Sequence, residues 1–165
     1  MVCLLGCCIG SFIWVQQSAI TDSACVQEMA NQIIDWDFND ELDGQFGLSV
    51  FGFTRITTLA DPDKGYLMVV ESRFFDAESM AGRFRAETGD AEETEVIEAG
   101  QREVEIKGQS VNLRFDKTRG KKSGNEYWEV VGIVPGTENS AVVMLKVLAE
   151  VYSEGDVLER FRSIR

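Results

Sequence analysis

The chain has no histidine, two prolines and four cysteines among its 165 residues, and no charged side chain ahead of Asp22. Without histidine, the side chain that ordinarily titrates near neutrality is missing, so a general base would have to be a carboxylate or lysine shifted by burial. Cys3, Cys7 and Cys8 lie in the uncharged head and Cys25 stands alone in the body. That usage leaves no disulfide within the body and no C-x-x-C pair for a metal. Base is scarce as well: the first Lys or Arg is Arg55, and the net charge is −12. A chain so acidic lacks the basic face that displaces counterions from phosphates, which excludes nucleic acid as a partner.

The uncharged head is what the sequence does have. Val2 to Val15 is apolar apart from Gly6, Gly10 and Ser11, shorter than the roughly 20 residues of a bilayer-crossing helix. A secretory signal would carry a basic flank and a small-x-small site, and here only Gln17-Ser18-Ala19 approaches one. The reading adopted is a hydrophobic membrane anchor over residues 1–20, with a cleaved signal segment or a buried helix as alternatives. A buried helix normally shows a polar stripe, which this one lacks. The membrane is thus the expected partner through the N-terminal segment, with the body on the extracytoplasmic, periplasmic side. A protein partner is expected but not identified.

Residues 21–165 are of single-domain length and rich enough in apolar side chains to build one core. Val26, Met29, Ala30, Ile33 and Ile34 recur at helical spacing, predicting a helix over about 21–35 with Thr21 to Ser23 as caps and Cys25 half-buried on it. Phe46 to Ile56 has strand character, with a slip of phase near Gly52 that predicts a bulge. The turn Asp61-Pro62-Asp63-Lys64-Gly65 then folds it back on Tyr66 to Glu71. Phe74 to Thr88 is read as a short helix, and the acids from Glu87 to Glu98 as a solvated loop or edge. Val104 to Ile106 and Val111 to Phe115 flank Gly108-Gln109 as a hairpin. Glu126 to Val134, apolar on both phases, reads as a central strand, and Ala141 to Ala149 pairs back on it. Val157, Leu158, Phe161 and Ile164 form a closing helix capped by Ser153 or Asp156. The expected fold class is α+β: four to six antiparallel strands packed with an N-terminal and a C-terminal helix, behind the anchor.

Chemical motifs do not hold up. Asp35-Trp36-Asp37-Phe38-Asn39-Asp40 has the start of a calcium loop but Asp40 where glycine belongs and Phe46 where the closing glutamate belongs. Gly120-Lys121-Lys122-Ser123 has the end of a phosphate loop, but Phe115 stands where its first glycine should be. No catalytic residue, cofactor or metal is assigned. The one charged cluster is Arg114, Lys117, Arg119, Lys121 and Lys122, five of the 16 basic residues in nine positions. It is either a solvated hairpin loop or a contact for anionic lipid or an acidic partner.

Ile33-Ile34-Asp35, Phe46-Gly47-Leu48-Ser49, Gly65 to Glu71, Arg102 to Gly108, Val134-Pro135-Gly136 and the ending from Val157-Leu158 to Ser163-Ile164 resemble an uncharacterised family of membrane-anchored proteins from planctomycete-type bacteria. The layout of sheet and terminal helices is similar to the PsbP and DcrB-like fold, which implies an accessory or binding role. The expected function is a membrane-anchored accessory or binding module without a catalytic site. The alternatives are a carboxylate-dependent hydrolase or lyase and a structural envelope protein.

Overall fold

The computed structural model describes residues 19–73, 77 and 93–165. The first helix, α1 (Ser23–Ile33), starts where Asp22 turns its carboxylate back to accept the Cys25 N–H at 3.0 Å, satisfying an N–H that the helix cannot. Its stripe of Val26, Met29, Ala30 and Ile33 is buried. Cys25 lies off that stripe and is exposed rather than half-buried. A 3-10 turn (Asp37–Glu41) follows. The closing helix, α2 (Glu154–Arg162), carries a reciprocal capping box between Ser153 and Asp156 and buries Val157 and Phe161.

The described strands form one antiparallel sheet of nine, more than the four to six expected. They are β1 (Ala19–Ile20), β2 (Asp43–Val50), β3 (Thr54–Asp61), β4 (Gly65–Ser72), β5 (Thr94–Glu98), β6 (Gln101–Ile106), β7 (Gln109–Gly120), β8 (Glu126–Pro135) and β9 (Ser140–Leu148). Across the sheet the order is β1, β2, β3, β4, β9, β8, β7, with β5 and β6 both pairing β7. The 12-residue β7 is long enough for β6 to cover its first half and β5 its last.

The count rose for a local reason. The phase slip near Gly52 is a turn rather than a bulge, closed by the Phe53 N–H donating to the Val50 carbonyl at 3.0 Å. Phe51 and Gly52 take φ of 53° and 70°, the left-handed pair of a type I′ turn. One expected strand is therefore two, β2 and β3, and the register irregularity lies at Gly44/Phe46 instead. The acid-rich run over 94–98 is the edge strand β5.

One face of the sheet carries both helices. Leu59, Leu67, Val69, Leu113, Phe115, Val130, Val143 and Leu145 meet α1 and α2 there in one core. Trp36 joins the two ends of the chain, its ring 5.0 Å from that of Phe161 and its Nε1 donating to the Arg160 carbonyl at 2.8 Å. The second face has a smaller apolar cluster, Val70 and Val142, with Ile56, Met68, Ala77 and Ile133 around them. Residues 1–18 of the expected anchor lie outside the described residues, as does the expected helix over 74–88 apart from Ala77, which is helical. Ala19 and Ile20 are strand. Among the described residues no helix is long and apolar enough to cross a membrane.

Candidate functional site

The five clustered bases are set on a strand and its turn, and strand alternation divides them. Arg114 projects from the second face of β7, while Lys117 and Arg119 project from the first. Lys121 and Lys122 follow in the turn to β8. Acids answer them. Arg114 is paired with Asp116. Lys117 and Arg119 share Glu126 at 2.5 and 2.6 Å, and Lys121 meets Glu93 at 2.6 Å. Hydrogen bonds from Arg119 and then Lys117 hold the Glu126 carboxyl down at about 2. Lys117 also lies over the Trp128 ring, 5.5 Å from its centroid. The cluster is thus an ionic hairpin end in which most of the positive charge has a negative neighbour.

The buried acids and the calcium-loop look-alike are held by partners within the fold. Two acids on the sheet are deeply buried, Glu71 at 4 % exposure and Asp116 at 3 %. A hydrolytic carboxylate pair would have to converge. Glu71 instead faces the helices from β4, bound by Arg55 and by the Asn139 amide at 3.0 Å. Asp116 sits on the opposite face of β7, with two strands between it and β4, bound by Arg114 and the Gly100 N–H. In the calcium-loop look-alike, Asp35 and Asp37 both bind Arg165, and the Asn39 amide donates to Asn31 Oδ1 at 2.7 Å and to the Ile34 carbonyl at 3.0 Å. Arg160 lies over the rings of Phe38 and Tyr152 and pairs with Glu41, fastening α2 to the 3-10 turn. Among the described residues no three His, Cys, Asp or Glu side chains are grouped as a metal would need.

At the opposite end of the sheet three phenylalanines are exposed, as Val96, Ile97 and Val151 are elsewhere. β2 and β3 meet there in the turn Val50-Phe51-Gly52-Phe53, with Phe51 69 % exposed, Phe53 42 % and Phe46, on β2, 38 %. Nothing in this hairpin is charged between Gly44 and Thr54. β1 pairs antiparallel with β2, Ala19 opposite Leu48 and Ile20 opposite Gly47. Followed backwards from Ile20 to Ala19, the chain therefore runs along β2 toward Phe51. The uncharged head joins the body at the aromatic end, whereas the Lys121 turn lies at the far end of the strands. The sequence was read there only as strand, and the two-residue β1 is what brings these aromatics beside the head. No protein-family model matches the chain, no curated protein matches it, and no solved structure matches it.

Proposed function

We propose that the chain is a membrane-held accessory or binding module, working by surface contact rather than by bond-making chemistry. The observation that carries this reading is the register of β1 on β2, which leads the uncharged head into the body beside residues 44–54 of the β2–β3 hairpin, where no side chain is charged. The absence of Lys and Arg from Asp22 to Thr54 suits a flank on the extracytoplasmic side, where base is not enriched. The resemblance to membrane-anchored proteins and to PsbP-like accessory domains supports the same reading. A carboxylate-dependent hydrolase or lyase has less support, since each buried acid on the sheet is bound by its own arginine.

The test is fractionation of cells producing the full chain, followed by an alkaline carbonate wash. Full-length protein retained in the pellet is the expected result. Full-length protein released to the supernatant would overturn the proposal, and a released chain beginning after Ala19 would mark the head as a cleaved signal.

A further inference from the structure

We infer that the outer edge of β6 is a docking site for an extended, basic peptide segment, which adds to the sheet as one more strand; this names a surface for the binding module proposed above and rests on that reading. Register comes first. The two-residue turn Lys107-Gly108 makes Ile106 and Gln109 the closing pair of the β6–β7 hairpin, so Ile106, Val104 and Arg102 direct their backbone groups to β7. The Phe115 N–H, donating to the Gly100 carbonyl at 2.9 Å, continues that alternation. Glu103 and Glu105 therefore turn their N–H and C=O groups away from β7, and among the described residues β6 pairs with no other strand. An unpaired row of donors and acceptors is a template for a further strand.

Shape and charge choose the occupant. An open hollow of about 410 Å³ lies along this edge, lined by Glu103, Val104, Glu105, Gly108 and Ser110, a volume within the range of ligand-holding clefts. Both carboxylates are exposed, and the Ser110 hydroxyl donates to that of Glu103 and fixes it beside the hollow. Neither acid has an ion pair among the described residues, whereas Arg114, Lys117, Arg119 and Lys121 are all answered. A lysine or arginine on the added strand supplies the missing cation.

A second copy of this chain fits worse. Two β6 edges paired antiparallel about a two-fold axis would bring Glu103 and Glu105 opposite the same two acids, and like charges across a strand pair destabilise it. The acids that hold copies apart are the ones that attract a basic strand.

The test uses the full chain in detergent micelles and a fluorescent peptide of alternating lysine and valine, about as long as β6. Anisotropy measures affinity, and hydrogen exchange follows the amides of Glu103 and Glu105. We expect saturable binding at low salt, slower exchange of both amides at saturation, and about tenfold weaker binding to Glu103→Gln/Glu105→Gln. Both substituted side chains are exposed, so the variant should fold as wild type does, and the exchange measurement needs no variant at all. The same peptide N-methylated at every amide keeps its charge but cannot pair, and should not bind. Equal binding of the methylated peptide, or unchanged exchange at Glu103 and Glu105 under saturation, would overturn the docking edge and leave only the attraction of a cation to an acidic chain. Absence of binding would overturn it too, as would a peptide-free dimer whose formation slows the same two amides, which would make a second copy the occupant. The carbonate wash is independent of all these outcomes, so the edge and the membrane-held reading fail separately.

Discussion

Two hairpin turns at opposite ends of this sheet, Phe51-Gly52 and the one that follows β7, differ in character. At the ionic end, local chemistry and fold agree. Asp61 accepts the Asp63 N–H at 2.8 Å, Gly65 and Gly124 occupy the positive φ values, and Lys117 and Arg119 share Glu126. At the Phe51 turn they disagree, with phenylalanine held at a left-handed φ and its side chain 69 % exposed. Agreement across levels is what specifies a fold, and the place where it fails is where a function has the stronger claim on the residue. Substitutions at the two turns therefore test folding and membrane binding separately.

The largest effect should follow Gly65→Ala. With φ at 145°, a Cβ on Gly65 would lie 2.2 Å from the Lys146 carbonyl oxygen, so the backbone of β9 would have to move. A loss of about 3 kcal/mol is expected, combining a conformation closed to alanine with overpacking. Gly52→Ala offers the contrast. Its φ of 70° is also unfavourable, but nothing stands within 4 Å of the new methyl, and the expected loss is about 1 kcal/mol. Urea midpoints of the two variants measure the difference, and equal losses would show that crowding adds nothing at Gly65.

Phe51→Asn should move stability the other way. Asn-Gly is the favoured type I′ pair, so the change should stabilise the fold by about 1 kcal/mol through relief of strain. A variant more stable in urea would show that phenylalanine is held there against the preference of the turn. A clear loss of stability would instead mean that Phe51 is held for packing.

What the sequence made legible follows the range of the signal. The helical spacing of Val26 to Ile33, the Ser153 and Asp156 cap and the hairpin at Gly108 are local, and each was readable, although that turn is Lys107-Gly108 rather than the Gly108-Gln109 expected. The turn at Phe51-Gly52 was read as a bulge because phenylalanine replaces the Asn or Asp that normally announces a type I′ turn. Pairings such as Lys121 with Glu93, or β1 with β2, depend on register between distant segments. A two-residue strand is also too short to show alternation. The basic cluster was visible as charge, but strand alternation and the acids opposite it were not, so the sequence could not tell that its positive charge was already answered.

Acid sharpens the comparison from the ionic side. Glu126 titrates at about 2 in the fold, below the ordinary glutamate value of 4.5, because Arg119 and Lys117 hydrogen-bond to it. A depressed carboxylate contributes stability that is fully present above its unfolded pKa and lost as pH falls through its folded one. The difference between wild type and Glu126→Gln should therefore be constant above about pH 5 and shrink between about 4.5 and 2. The size should be modest and reduced by salt, since the pairs face solvent. Urea titrations at stepped pH, with the carboxyl followed by NMR, would check both the window and the sign; a difference that grows on acidification would mean that the pairs destabilise the fold.

The smallest effect should come from replacing Arg119, Lys121 and Lys122 together with serine. Arg119 and Lys121 have exposed side chains, 51 % and 48 %, and Glu126 keeps Lys117 when Arg119 is gone. Stability should thus change by no more than about 0.5 kcal/mol. The informative measurement is binding of the full chain to vesicles containing phosphatidylserine. Three bases facing anionic lipid would contribute about 1 kcal/mol each, a loss too large to miss in the triple variant at low salt. With Glu126 and Glu93 beside these bases, and with the head joining the sheet at the other end, we expect binding to be unchanged. A weakening that added salt erases would place lipid at the Lys121 turn, and the end of the sheet far from the head would then touch the membrane.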